Sequence, residues 1–347
     1  MSEQSSLLPV VDIITSTNRH SSYLAPAMAT VIAQSRTDWR HIIVDNGSPE
    51  PAALASAVRA VAAAAPGDAA SRVTLHRNAR TGQPSGVADG RNFGISLGSA
   101  DFVAFLDDDD LWEPDYLEQL VGALEARPDA VAAYCGGRYV NSAGVAFGGW
   151  TAEEATADQM LRGMRPTPRI VALIVRRSAG EAAGWFDPAY DMGEDNEFIY
   201  RLMRTGEFIA VPATLVSYRR HAGNTTAAPG ARKAMREAGE RYLTEHIRAA
   251  RAAGDHTLAH KLRQNRRRAR HDVATVELRA LLHALHTRRG LGEALQGARW
   301  VFRHSPGAFV AACARRMVTA FGLGRNSHVR DGSLTVLTLA SAVLLLS

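Results

Sequence analysis

Four consecutive aspartates, Asp107–Asp110, directly follow the apolar run 102–106. Adjacent carboxylates repel one another, and a divalent cation relieves that repulsion. The Asp-x-Asp spacing of Asp107 and Asp109 offers oxygen ligands of the kind that Mg²⁺ or Mn²⁺ binds, and such ions usually leave coordination positions for substrate phosphates. The alternative is a solvated acidic turn that caps the helix predicted near Pro114, because acidic residues favour helix N-termini. The segment therefore predicts either a metal–phosphate site or a helix cap.

A second pair of carboxylates, Glu194 and Asp195, stands at the start of a predicted helix. The apolar face of that helix continues through Phe198, Ile199 and Leu202. A carboxylate held on a rigid helix start can take a proton from a hydroxyl group as a general base. Simple capping of the helix N-terminus is the alternative for this pair.

A third cluster consists of Arg219, Arg220 and His221. Guanidinium groups bind phosphate, and an imidazole can ligate a metal ion or donate a hydrogen bond to phosphate. The alternative is that His221 is an ordinary surface residue beside two arginines. The three clusters can form one site only if the fold brings them together.

Strands and helices alternate over the first 130 residues. Strands are predicted at 10–14, 42–44, 71–78 and 101–106, and helices at 21–35, 52–65, 86–99 and 114–128. This alternation favours an α/β fold with a mostly parallel, doubly wound sheet. Ligands of such sheets bind beyond the carboxyl ends of the strands. We therefore expect Asp45, which ends the second strand, to meet Asp107–Asp110 at that edge.

The composition is that of a soluble globular protein, with 46% hydrophobic and 22% charged residues. The two cysteines, Cys135 and Cys313, lie far apart and have no metal-ligand spacing, which favours a reducing compartment. The N-terminus lacks the basic and then apolar pattern of a signal peptide. These features favour a cytoplasmic protein.

The C-terminal third differs from the rest of the chain. From 231 to about 320 it reads as helices, and Lys and Arg greatly outnumber Asp and Glu there. One interpretation is electrostatic contact with anionic lipid head groups, and the other is a solvated, Arg-rich helical face. The uncharged stretch 333–346 is too short to span a bilayer comfortably. We expect no nucleic-acid partner, because no helix-turn-helix, zinc or base-stacking signature is present.

The ordered motifs resemble glycosyltransferase family 2, the inverting enzymes of the nucleotide-sugar-dependent A-type fold. They cover about residues 9–227 and read IITSTNR, IIVDNGS, GRNFGIS, FVAFLDDDDLWEPDYL, GWFD…GEDNEFIYRL and YRRHAGNT. The resemblance implies a Rossmann-like, mostly parallel sheet flanked by helices in a catalytic domain over 1–229. Its nucleotide-binding half would span about 9–130 and its acceptor half about 131–229. A basic helical region, 230–332, and a short apolar tail, 333–347, would follow.

The resemblance also implies roles for the matching positions. Donor binding would fall to Thr15, Asn18, Asp45, Asn46, Arg91, Asp107, Asp108 and Arg219. A Mn²⁺ or Mg²⁺ ion would be held by Asp109, Asp107 and His221. Asp195 matches the catalytic base of the family, with Glu194 beside it.

Two positions depart from the usual family pattern. Asn46 stands where an acidic residue is common, and an amide both donates and accepts hydrogen bonds. This substitution leaves the nucleoside of the donor open between uridine and thymidine, with guanosine less favoured. Thr15 stands where proline is common, and its hydroxyl can still bind the nucleotide. The implied reaction moves a sugar from a UDP- or dTDP-sugar to a hydroxyl of a saccharide, a lipid-linked saccharide or a small molecule. Cell-surface polysaccharide, glycolipid or secondary-metabolite synthesis at the inner face of the plasma membrane would suit it.

Two other functions are compatible with parts of the sequence. A nucleotidyltransferase would also use paired carboxylates and a metal ion, but it predicts a glycine-rich phosphate loop after the first strand. The turn TSTNRHSS contains no glycine. A non-catalytic protein that acts through its basic C-terminal helices would not need Asp109 or Asp195.

Overall fold

A computed structural model describes residues 9–78, 86–287 and 290–311 of the 347-residue chain. The chain divides into two compact units. The first comprises Met1–Leu161 and Arg165–Ala228, and the second comprises Arg162–Met164 and Pro229–Ser347. The predicted apolar tail 333–347, the last part of the basic region (312–332) and Cys313 lie outside the described residues.

The first unit has the predicted α/β fold of the A-type glycosyltransferases. Its strands are β1 Val11–Thr17, β2 Trp39–Asp45, β3 Val73–Arg77, β4 Phe102–Phe105, β5 Leu111–Trp112, β6 Ala132–Asn141, β7 Ala146–Trp150, β8 Leu173–Arg176 and β9 Phe208–Arg220. Its helices are α1 Leu24–Ile32, α2 Pro51–Ala63, α3 Val87–Ser96, α4 Tyr116–Ala126, α5 Ala157–Leu161, α6 Arg177–Ala183 and α7 Glu194–Leu202.

The strands of the described residues form one sheet in the order β3-β2-β1-β4-β8-β6-β9-β5, with β7 paired to β6. Strands β1 to β4 run parallel to one another, as the strand–helix alternation predicts. β8 lies antiparallel between β4 and β6, and β6 pairs in parallel with the long strand β9. The sheet order therefore places the ends of β1 and β4 side by side at its centre.

Helix α3 packs unusually close to the sheet because of its glycines. A Cβ atom built on Gly90 would lie 2.0 Å from Ser16 Oγ, and one built on Gly94 would lie 2.6 Å from Ile14 Cγ2. Glycine is disfavoured inside a helix, but here it permits a close approach to β1. Arg91 follows Gly90 directly, so this close packing brings its side chain to the edge of the sheet.

The second unit is helical in its described part, with α8 Ala231–Ala252, α9 His256–Thr287 and α10 Leu291–His304. Small and aliphatic side chains of α9 and α10 form its core together with Phe309. Glu277 is buried in α9 and accepts hydrogen bonds from Arg232 and Arg236 of α8. None of the described helices is both long enough and apolar enough to cross a bilayer.

Candidate active site at the end of the fourth strand

Three aspartates after β4, Asp108, Asp109 and Asp110, are buried, and the segment is bound to the turn after β1. Asp108 accepts a hydrogen bond from Thr17 Oγ1 at 2.5 Å and one from Arg19 Nη2 at 3.0 Å. Arg19 Nη1 also donates to Gly223 O at 2.8 Å, so this side chain connects β1 to the loop after β9. Helix α4 begins only at Tyr116 and has no side-chain cap. The aspartates therefore do not act as the solvated helix cap that was the alternative.

Asp109 has three partners on one oxygen. Its Oδ2 accepts hydrogen bonds from Arg19 Nη2 at 3.0 Å and from Asn224 Nδ2 at 3.2 Å, and it lies 2.9 Å from His221 Nε2. Burial raises the pKa of Asp109, and the charges of its aspartate neighbours raise it further, against the lowering effect of His221 and Arg19. His221 is thus a buried partner of the aspartate segment and not a surface residue.

The hydrogen bonds of His221 define which ring nitrogen carries the proton. Its Nδ1 accepts from Gly223 N at 3.0 Å, so Nδ1 is unprotonated. Nε2 then carries the hydrogen and donates it to Asp109. The ring also packs on Tyr23, with centroids 4.6 Å apart. To ligate a metal ion through Nε2, His221 would have to move its proton.

Asp110 binds the backbone of Arg219, and the Arg219 side chain binds backbone carbonyl oxygens. Asp110 Oδ1 accepts from Arg219 N at 2.7 Å, while its buried Oδ2 has no hydrogen-bond partner among the described residues. Burial raises the pKa of Asp110 well above its usual range. The Arg219 guanidinium donates to the carbonyl oxygens of Asp109, Asn141 and Ser142. Backbone carbonyls therefore hold the Arg219 side chain, and its contact with a donor phosphate stays a prediction.

Arg91 joins the aspartate segment to the start of α7. Its Nη2 donates to Asp107 Oδ1 and its Nη1 to Glu194 Oε1, each at 2.9 Å. The Arg91 side chain is only 6% exposed. Burial by itself lowers the pKa of Arg91, but the charges of Asp107, Glu194 and Asp195 outweigh it and raise that pKa. Asp107 and Glu194 are 87 positions apart in the sequence. Both therefore bind the same buried guanidinium group, that of Arg91.

Glu194 and Asp195 have different surroundings at the first turn of α7. Burial raises the pKa of Glu194 to about 7, although Arg91 lowers it. Asp195 Oδ1 accepts from the backbone N of Asn196 at 2.7 Å and from its Nδ2 at 3.2 Å. Thr167 Oγ1 in turn donates to Asn196 Oδ1 at 2.8 Å. The helix N-cap is Gly193, so neither acid caps the helix as the N-cap residue.

The two residues of β1 and its following bend that were predicted to bind the nucleotide differ in burial. Thr15 is fully buried and its Oγ1 bonds His41 Nε2 at 2.9 Å, and its contact with the donor stays a prediction. Thr15 lies two residues, roughly 7 Å along the strand, short of the edge. Asn18 is exposed in the bend after β1.

Asp45 and Asn46 hold the turn after β2. Asp45 accepts hydrogen bonds from Ser48 N and from Arg77 Nη1. These partners follow β2 and end β3, so both Asp45 oxygens are bound next to β2 and not to the aspartate segment. Asn46 Nδ2 donates to Gly86 O at 3.1 Å and its Oδ1 accepts from Asn78 Nδ2 at 2.9 Å. The first of these bonds requires an amide, because a carboxylate only accepts.

The donor set for a metal ion is small. Among the described residues, no three His, Cys, Asp or Glu side chains form a group that could hold an ion. Asp109 and His221 do converge, whereas Asp107 directs one oxygen to Arg91. Mg²⁺ is commonly bound by one or two protein ligands together with substrate phosphates and water. The residues present fit an ion whose remaining ligands come from a diphosphate, provided that Arg19 leaves Asp109.

Five residues of this site were missed by the sequence analysis: Thr17, Arg19, Thr167, Asn196 and Asn224. Thr17 carried a usable signal, because it is the last polar residue before the strand ends. Arg19 carried a weaker one, as the first basic residue after that strand. The contact of Thr167 with Asn196 bridges a segment that contains β8 and α6, and it had no local signal.

Known glycosyltransferases resemble this chain in sequence. Residues 13–172 match the family described as Glycosyl transferase family 2. The succinoglycan biosynthesis protein ExoW of Rhizobium meliloti is 37% identical over 97 residues, 27% of this chain and 27% of that protein. The glucosyl-dolichyl phosphate glucuronosyltransferase of Haloferax volcanii is 45% identical over 60 residues, 17% of this chain and 18% of that protein. The chain thus matches about a quarter or less of the length of these two relatives.

Solved structures share the fold over most of the chain. S. aureus TarS 1-349 in complex with UDP-GlcNAc superposes with a TM-score of 0.60 at 15% identity, covering 93% of this chain and 95% of that one. The mannosyltransferase PcManGT from Pyrobaculum calidifontis, in complex with GDP-Man and Mn²⁺, gives a TM-score of 0.50 at 18% identity, covering 97% and 81%. At these identities the likeness shows the fold.

Proposed function

Since residues 13–172 are a glycosyl transferase family 2 domain, we propose that the chain is an inverting glycosyltransferase that moves a sugar from a nucleoside-diphosphate sugar to an acceptor hydroxyl. One observation carries the proposal: Arg91 holds Asp107 and Glu194 on a single guanidinium. The residues expected to bind the donor and those expected to activate the acceptor therefore face one site. A protein that acts only through its C-terminal helices would not need this arrangement.

Asp195 is the proposed general base. It would take the proton of the acceptor hydroxyl as that oxygen attacks the anomeric carbon from the side opposite the leaving diphosphate. Its Oδ1 is fixed by Asn196, and Asn196 is fixed by Thr167. The proposal assigns the proton transfer to the other oxygen, Oδ2. A single displacement of this kind inverts the anomeric configuration and needs no protein nucleophile.

Asp109 and His221 are the proposed holders of Mn²⁺ or Mg²⁺. A bound divalent ion would offset the negative charge of the diphosphate. Metal binding would require that Asp109 separates from Arg19 and that its carboxyl group is ionised, although burial raises the pKa of Asp109. The Mn²⁺ complex of PcManGT supports this proposal.

The donor base is proposed to be uracil or thymine. TarS binds UDP-GlcNAc and UDP, whereas PcManGT binds GDP-Man, so neighbours of this fold differ in the base. Asp45 and Asn46 shape the turn after β2, and Asn46 anchors it to Gly86 at the start of α3. Base selection would depend on the position of that turn.

The acceptor is proposed to be a saccharide, a lipid-linked saccharide or a small molecule, met at the cytoplasmic side of the plasma membrane. The succinoglycan relative supports cell-surface polysaccharide synthesis. The basic helical unit supports peripheral contact with anionic lipid. Flotation of the full chain with vesicles that contain phosphatidylglycerol tests the contact, and equal recovery with neutral vesicles would contradict it.

The transfer reaction is tested by nucleotide release. The full chain is incubated with UDP-, dTDP- and GDP-sugars, candidate acceptors and Mn²⁺ or Mg²⁺. Asp195→Asn should bind donor like the parent and lose transfer, while Glu181→Gln, an exposed change on α6, should keep both. Asp109→Ala should lose metal-dependent donor binding in calorimetry. Normal turnover by Asp195→Asn would refute the assignment of the base.

A further inference from the structure

A cavity lies within the helical unit, between α8 and α10. Its volume is about 660 Å³, and its walls are formed by residues 233–248 of α8 and 296–304 of α10. It is an open groove with mainly charged walls. Nothing in the transfer chemistry proposed above uses it.

The acidic residues of the groove are paired within the unit. Glu240 accepts from Arg270 Nε at 2.9 Å. Glu245 accepts from Arg241 Nε at 3.0 Å, and Glu237 lies 3.9 Å from Lys233. These carboxylates are therefore neutralised locally, and they do not offset other positive charges in the walls.

Three arginines of the groove have no such partner. Arg248, Arg299 and Arg303 line the cavity and are exposed, and in the described part of the chain they form no ion pair or hydrogen bond. Arg299 and Arg303 are four residues apart on α10, so they lie on one face of that helix. The groove consequently has a net positive charge, contributed by guanidinium groups that are exposed to water and have no acidic partner.

An aromatic pair completes the wall. The rings of Trp300 and His304 stack with centroids 4.3 Å apart at an interplanar angle of 21°. His304 Nδ1 donates to Trp300 O at 2.8 Å, which leaves Nε2 as the second polar atom of the ring. Guanidinium groups beside a flat aromatic surface are suited to a ligand with a phosphate and an attached ring, such as a phosphorylated sugar.

We propose that this groove is a binding site for a phosphorylated ligand, whose phosphate binds Arg248, Arg299 and Arg303 beside the Trp300–His304 pair. The phosphate could belong to a soluble sugar phosphate or to a lipid head group, because the recognition chemistry is the same. The proposal does not depend on glycosyl transfer. Binding at the groove and turnover at the aspartate segment are measured separately and can fail separately.

The test compares two double variants that remove the same charge. Arg299→Gln with Arg303→Gln empties the groove of two guanidinium groups. Arg267→Gln with Arg268→Gln is the matched control, since these arginines are exposed on α9 and do not line the cavity. Both pairs change exposed side chains, and thermal unfolding checks that each variant is folded.

Two probes identify the source of the phosphate. Calorimetry measures glucose 1-phosphate binding, and flotation measures binding to phosphatidylcholine vesicles that contain phosphatidylglycerol. We expect at least one probe to bind the full chain, with affinity lowered roughly tenfold or more in the groove variant and changed less than about twofold in the control, because charge-assisted hydrogen bonds to phosphate dominate such sites. The probe whose binding is weakened only in the groove variant identifies the ligand as a soluble sugar phosphate or as a lipid head group.

The same measurements can overturn the proposal. Equal weakening in both double variants would show diffuse attraction to a basic surface and no site in the groove. Absence of binding by both probes at low ionic strength would also reject it. A Trp300→Phe variant gives a further check, since replacing the indole should weaken glucose 1-phosphate but leave a purely ionic attraction unchanged.

Discussion

Replacing Glu194 by glutamine should change how the stability of the catalytic unit depends on pH. The Glu194 side chain is 13% exposed, and burial is the largest cause of its raised pKa. The folded protein therefore holds the Glu194 proton more tightly than the unfolded chain does. The stability gained from this proton is fully present below the ordinary pKa of 4.5 and is lost as the pH rises through about 7.

The size of the effect follows from the two pKa values. A carboxyl whose pKa is 4.5 in the unfolded chain and about 7 in the folded protein gives about 3 kcal/mol of pH-dependent stability. Glutamine cannot titrate, so Glu194→Gln should lack this contribution. Asp109 and Asp110 also have raised pKa values, but they are present in both proteins and cancel in the comparison.

Tryptophan fluorescence can follow the catalytic unit alone. Four of the five tryptophans, at 39, 112, 150 and 185, lie in the first unit, and Trp300 lies in the second. Urea unfolding in a Trp300→Phe background therefore reports the unit that contains Glu194. The free energy of unfolding of the parent, relative to Glu194→Gln, should fall by about 3 kcal/mol between about pH 4.5 and about pH 8.

A control variant and the parent separate the effect of Glu194 from other effects of pH. Glu181→Gln, which changes an exposed side chain on α6, should give the same pH dependence as the parent. Parallel curves for the parent and Glu194→Gln would show that Glu194 titrates alike in folded and unfolded chains. In that case the pKa of Glu194 would not be raised by burial between Arg91 and α7.

Three further substitutions test other contacts of the site. Arg91→Gln removes the cation shared by two carboxylates and should lower the free energy of unfolding, measured with urea, by about 3–5 kcal/mol. Thr17→Val removes one of the two side chains that hold Asp108 and should weaken UDP binding in calorimetry roughly tenfold, since hydrogen bonds to charged groups contribute about 1.5–3 kcal/mol. Thr15→Val should lower the melting temperature and leave UDP affinity unchanged. Arg19→Gln removes a competing cation from Asp109 and should tighten Mn²⁺ binding to the donor-free protein, measured by electron paramagnetic resonance, by roughly tenfold; unchanged Mn²⁺ affinity would contradict the competition.

The sequence alone predicted the strands and helices of the first 130 residues and the sheet edge at which the candidate site lies. Apolar runs alternating with helical patterns predicted the parallel strands β1 to β4, because these patterns are local and repeat with the period of the element. The position of Asp107–Asp110 after a buried strand then placed them at the ligand-binding edge. The resemblance to glycosyltransferase family 2 rested on motifs of this local kind.

Only the tertiary structure decided which side chains bind one another. Arg91 was expected at the nucleotide, yet it joins Asp107 to Glu194, and Arg19 binds Asp108 although 89 positions separate them. Arg219 was expected at a phosphate and is held by backbone carbonyls. Residue type and strand position are encoded locally, whereas the partner of a charged side chain is set by whichever distant segment packs against it, and burial makes that partner obligatory.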